Sequence, residues 1–146
     1  MDITRIMLFC KEHEHLLGEN GPPLHVGYLR RQIKQCIKEK DTQVFITVNK
    51  DNRILGLVVC WIAPYLWSRQ LYVTDILFVA DQGGDVLMKK MEAWGKANGA
   101  RVSTMQTHLG LDDRVEKLYE RKGYERVGAV FEKPMEIAVR RRLANE

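Results

Sequence analysis

Leu77-Phe78-Val79-Ala80-Asp81-Gln82-Gly83-Gly84-Asp85-Val86-Leu87 is the stretch whose reading decides the fold. Its first residues close a run from Leu71 to Val79 that reads as a strand, with Leu71, Val73, Asp75, Leu77 and Val79 on one face and Asp75 interrupting the apolar row. Asp81 to Asp85 is a tight glycine turn. Behind it Val86, Leu87, Met91 and Trp94 recur at helical spacing until Asn98-Gly99 stops the helix. The unit is therefore strand, glycine turn, helix.

Downstream, Arg101 to Thr107 reads as a strand, Asp112 to Lys122 as a helix closed by Gly123, and Val127 to Lys133 as a last strand broken by Gly128. Upstream, Val44 to Val48 and Ile54 to Ile62 are β-branched and apolar runs flanking the turn Asn49 to Asn52, which predicts a hairpin. Two amphipathic helices precede it. Asp2 caps the first, whose apolar positions Ile3, Ile6, Met7, Cys10 and Leu17 end at Gly18; the second runs from Leu24 to Lys40, after the breaker Glu19 to Pro23. Helices, then a hairpin, then strand-helix-strand-helix-strand is an α/β (α+β) order. It predicts a mixed sheet with helices on both faces rather than a pure Rossmann layout.

The 146 residues fit one domain, since a single core serves roughly 100–200 residues. Within it, residues 1–40 form a helical pair, 41–133 the sheet and its core, and 134–146 a basic tail. Hydrophobic residues at 45% suffice for a core, and charged residues at 29% argue against bulk disorder. A net charge of +4 suits an anionic ligand without requiring a polyanion. Much of the excess lies in Arg140, Arg141 and Arg142, read as a solvated tail; a nucleic-acid contact through these and Arg30 and Arg31 would weaken steeply with salt. Cys10, Cys36 and Cys60 form no CxxC pair and have no His at zinc spacing, so no metal is expected and a reducing compartment is. Met1 to Arg5 lacks the pattern of a secretory signal, and no apolar run reaches the ~18–20 residues of a membrane span. The expectation is a cytoplasmic protein without a membrane partner.

A glycine turn that opens a helix presents unpaired amides and the positive end of the helix dipole, a phosphate-binding arrangement. Gln82 to Val86 offers it locally, although an ordinary turn uses the same residues and Asp81 and Asp85 repel an anion.

The last informative motif is Leu118-Tyr119-Glu120-Arg121-Lys122-Gly123-Tyr124. Together with Leu77-Phe78-Val79, Gly83-Gly84, Leu87 and Gly99 in that order, it resembles the second half of a GNAT-superfamily N-acetyltransferase. The resemblance covers Leu71 to Lys133 and implies a central splayed β-sheet whose parted strands receive acetyl-CoA (coenzyme A). It places the cofactor on Leu77, Phe78, Val79, Gln82, Gly83, Gly84, Asp85 and Asp112, and an amine acceptor, small molecule or protein, beside it. Tyr119 stands where the family keeps its general acid, a phenol that is protonated at neutral pH and able to neutralise a departing thiolate. Asp75 is the candidate base, with His108 the second; alternatively Asp75 holds a salt bridge and Tyr119 packs on the sheet.

This chain departs from the family pattern at three places. It opens with a helix instead of a strand, its glycine loop is several residues shorter, and Asp112 replaces the usual Asn. Asp112 and Asp113 equally suit the start of a helix. Trp61, Tyr65 and Trp67 either line an acceptor pocket or close the edge of the core. The function expected is N-acetyl transfer, with a non-catalytic module of the same fold as the alternative and a homodimer open.

Overall fold

The computed structural model describes residues 2–17, 22–106 and 114–135. Helix α1 spans Ile3–Glu12 and continues as a 3₁₀ turn over Glu14–Leu17. The Asp2 carboxylate accepts from the Thr4 amide at 3.0 Å and caps α1, as the sequence indicates. Helix α2 spans Val26–Lys38, two residues shorter at each end than its periodicity predicts. His25 sets the start, because its Nδ1 accepts from the Tyr28 amide and occupies the cap.

Strands β1 (Thr42–Val48), β2 (Ile54–Pro64) and β3 (Leu71–Ala80) are antiparallel neighbours, and β4 (Ala100–Thr104) joins β3 in parallel, giving the order β1-β2-β3-β4. The turn between β1 and β2 is held by Asn49, whose Oδ1 accepts from the Asp51 and Arg53 amides. Helix α3 (Gly84–Ala97) crosses from β3 to β4, and α4 (Arg114–Arg121) follows.

Helices cover both faces of this mixed α/β sheet. Leu57 and Val59 of β2 turn toward Ile6, Phe9 and Ile33 of α1 and α2, while Val58 and Cys60 turn toward Leu87 and Met91 of α3. A strand buried on both sides has no polar face to alternate with, which explains the unbroken apolar run of β2.

Two strand expectations need correction. The row Leu71, Val73, Asp75, Leu77, Val79 is not one face: Cys60 pairs with Asp75 and Val59 with Leu77, so Ile76 is a bulge. Beyond it the parity reverses. Val73 packs with α3, whereas Val79 joins the cluster under α1 and α2. The second correction concerns Val127 to Lys133, which forms no strand; residues 125–135 are exposed and enter no ladder among the described residues. Its β-prone composition is satisfied only when another edge pairs with it.

Helix α3 approaches β3 closely because Gly95 carries no side chain. A Cβ there would stand 2.6 Å from Val73 Cγ1. Gly95→Ala is expected to cost about 1–3 kcal/mol by overpacking, less up to ~1 kcal/mol that alanine gains as a helix former. Adding Val73→Ala should relieve part of the loss, which a double-mutant cycle in urea would measure.

Candidate functional site

The sheet opens at one point. β4 pairs with β3 from Leu71 to Thr74 and no further, so the β3 edge from Ile76 to Ala80 has no ladder partner on that side among the described residues. A cleft of about 160 Å³ lies there, floored by Asp75 to Ala80 and bounded by Gln106, Val115 and Tyr119, with Leu16 and Leu17 of the 3₁₀ turn at its side. The bulge at Ile76 adds local twist exactly where the ladder ends, as bulges do at strand rims.

Tyr119 and Asp75 meet at a third residue. The Tyr119 hydroxyl donates to the backbone carbonyl of Gln106 at 2.9 Å, and the Gln106 amide donates to Asp75 Oδ1 at 3.1 Å. Asp75 is 8% exposed and Tyr119 7%. The backbone of one residue thus fixes phenol and carboxylate relative to each other. α4 is charged on most of its surface, and Val115, Leu118 and Tyr119 form its apolar side, which is why Tyr119 faces inward.

Burial, then the Asp75 carboxylate and Tyr124, push the Tyr119 phenol well above its ordinary value of 10.0. It is held protonated. Tyr124 lies against it, ring centroids 6.0 Å apart, and its hydroxyl donates to Glu92 Oε1 at 2.8 Å while bonded to Ser103 Oγ at 2.7 Å. This ties the end of α4 to both α3 and β4.

The glycine turn lies at the far end of the same edge. Gly83 adopts φ 75° and precedes α3 without any side-chain cap, leaving the first-turn amides of the helix unsupplied by side chains. Gly84 lies close under Phe78: a Cβ there would stand 3.2 Å from the end of its ring, which would have to give way by a few tenths of an ångström. The amide of Gln82, like that of Asp81, is committed to the Leu55 carbonyl, at 3.2 and 2.9 Å. The turn amides not given to Leu55 thus begin at Gly83. Asp85 Oδ2 lies 4.0 Å from Lys122 Nζ, a partly exposed pair that moderates the acid's repulsion of an anion.

Other anticipated residues fall elsewhere. Asp112, Asp113 and His108 lie outside the described residues. Trp61, Tyr65 and Trp67 do not line the cleft; in the β2–β3 connection Tyr65 makes tilted ring contacts with Trp67 at 5.3 Å and with Tyr72 of β3 at 4.9 Å. Gln106 was not anticipated, and no side-chain pattern could reveal it, because its backbone does the bridging. Among the described residues, no helix is long and apolar enough to cross a membrane.

Cys60, register partner of Asp75, is fully buried. Burial first, then Asp75, pushes its thiol up to about 12, and burial raises that of Cys10 to about 11, both from 9.0. A folded-state pKa above the unfolded one favours the fold fully below pH 9.0, and the benefit is lost as pH rises through the raised values. The urea midpoint is therefore expected to fall between pH 9 and 11, and less so in a Cys10→Val, Cys60→Val chain. An equal slope in both would refute the assignment.

No family model and no curated protein matches this sequence. Solved structures do match in fold. A GNAT family acetyltransferase from Staphylococcus aureus superposes with TM-score 0.66 at 19% identity, over 92% of each chain. An aminoglycoside acetyltransferase from an uncultured soil metagenomic sample, solved with sisomicin, gives TM-score 0.65 at 17% identity over 92% of this chain and 88% of that one. A transcriptional regulator from Bacillus halodurans gives 0.68 at 18%, over 92% and 93%. The chain therefore has a GNAT-like fold, the fold of these acetyltransferases. Since one fold hosts many functions, the site has to carry the activity.

Proposed function

We propose that the protein is an acetyl-CoA-dependent N-acetyltransferase acting on an amine of a small molecule or protein. The observation that carries this reading is the β3 edge from Ile76 to Ala80, without a ladder partner on that side among the described residues, beside a buried, protonated Tyr119. Acetyl-CoA, when bound, supplies the activated acetyl group as a thioester.

The backbone of Leu77, Phe78 and Val79 would hold the pantetheine arm as an added strand, and the amides following Gly83 would meet the pyrophosphate. The residues fit such a ligand: among the described residues the edge from Ile76 to Ala80 has no ladder partner on that side and no side chain caps the helix start, and Gly84 keeps the turn close to Phe78. Asp85 contributes through its backbone. Tyr119 lines the cleft, and rotation of its O–H bond off the Gln106 carbonyl delivers the proton to a departing thiolate without moving the ring. Asp75 serves as the carboxylate that receives the proton of an ammonium acceptor, directly or through water, held in place by the Gln106 amide. A cytoplasmic, reducing compartment suits its free cysteines Cys10, Cys36 and Cys60.

A non-catalytic module is the second reading, favoured by the short turn in which the Asp81 and Gln82 amides both serve Leu55. Fewer amides then remain for the pyrophosphate, each charge-assisted bond being worth about 1.5–3 kcal/mol. Calorimetric titration with acetyl-CoA, followed by a free-thiol assay with a panel of amines, separates the two. Saturable heat and thiol release support the enzyme. No heat at millimolar acetyl-CoA favours the binding module, and heat without thiol release means that the chain binds the cofactor but uses none of these amines.

A further inference from the structure

Residues 125–135 follow Tyr124, and every one of them is exposed. Val127 is 91%, Val130 82%, Phe131 94% and Met135 81% accessible. A folded chain seldom leaves so continuous an apolar strip in water unless something docks on it. The strip is rooted beside a second open feature: Tyr124 is bonded to Ser103 of β4, whose outer edge has no ladder partner among the described residues.

The segment is complementary to itself when reversed. Set antiparallel to the same segment of a second copy about a two-fold axis at Ala129, Glu125 faces Lys133, Arg126 faces Glu132, Val127 faces Phe131 and Gly128 faces Val130. Opposite charges meet opposite charges, and apolar side chains meet apolar ones, which are the cross-strand pairs that stabilise an antiparallel ladder. The alternation of a strand also gathers Val127, Ala129 and Phe131 on one face, so two segments build one apolar patch with ion pairs at its ends.

We propose that the chain forms a two-fold dimer through residues 125–133, the two segments pairing antiparallel about Ala129. A single copy has only one such segment and cannot satisfy this register. A two-stranded ribbon is marginal alone, and the open β4 edge at its root offers the further strand it needs. The symmetry is isologous, so each favourable pair occurs on both sides of the axis.

Sedimentation equilibrium of the full chain across the micromolar range should show a dimer. Glu125→Lys places like charges opposite each other on both sides of the axis and should raise the dissociation constant about tenfold or more, equivalent to about 1.4 kcal/mol. Combining it with Lys133→Glu restores opposite charges and should return the wild-type constant. Ala129→Cys in a Cys36→Ser chain should cross-link to a disulfide dimer under mild oxidation, since facing residues on paired strands meet disulfide geometry. Val130→Cys, off the axis, should cross-link far less. Apart from the half-buried Cys36, the substituted side chains are exposed in the single chain, and unchanged circular dichroism would verify folding. A monomer at all concentrations, a dimer indifferent to Glu125→Lys, failure of the reciprocal pair to restore it, or equal cross-linking at Ala129 and Val130 would each overturn the proposal.

Discussion

Tyr119→Phe is expected to lower kcat by roughly 10²-fold or more, the contribution of a positioned general acid, while leaving the acetyl-CoA dissociation constant nearly unchanged. The ring stays in place against Tyr124, and only the hydroxyl that reaches the Gln106 carbonyl is removed. An effect confined to kcat identifies a group that acts in the transition state. The pH profile gives a second reading. Because the phenol is held well above 10.0, wild-type turnover should not decline through loss of this proton until pH exceeds that ordinary value. The variant also leaves the Gln106 carbonyl without its donor, at a stability cost of about 1–3 kcal/mol, so turnover is to be compared below the unfolding range of both proteins. Equal kcat in Tyr119→Phe would dismiss the acid role.

Leu87→Ala should damage the framework heavily, costing about 2–5 kcal/mol. Leu87 is fully buried in the first turn of α3, and its Cδ1 lies where a Cβ on Gly56 would stand only 2.8 Å away. The cavity therefore opens directly behind the glycine turn. Met91 is equally buried one turn further along α3, so Met91→Ala provides the control. Both variants should lose similar stability in urea, but Leu87→Ala should weaken acetyl-CoA binding by the larger factor, because it loosens the start of the helix rather than its middle. Equal affinity in the two variants would show that the turn does not hold the cofactor.

Much of the architecture was present in local pattern. Helical periodicity in α1, α2 and α3, β-branched runs in β1 and β2, and the strand, glycine turn and helix around Gly83 all depend on neighbours within a few residues, and each is found where its pattern lies. The motif around Tyr119 pointed to the residue that lines the cleft, since a single apolar side on a charged helix has only one way to face the sheet.

The chain's own order of residues thus determined most of the helices and strands and their sequence, and it put the Tyr119 phenol on a helix and the Asp75 carboxylate on a strand. Tertiary structure alone decided where the β3–β4 ladder stops, that Ile76 bulges and reverses the facing of Leu77 and Val79, that the Gln106 peptide joins Asp75 to Tyr119, and that residues 127–133 lie outside the chain's own sheet. Propensity and periodicity act between near neighbours along the chain. Ladder length, register and the use of a backbone carbonyl are fixed by partners about 30 residues away, and those are chosen by packing.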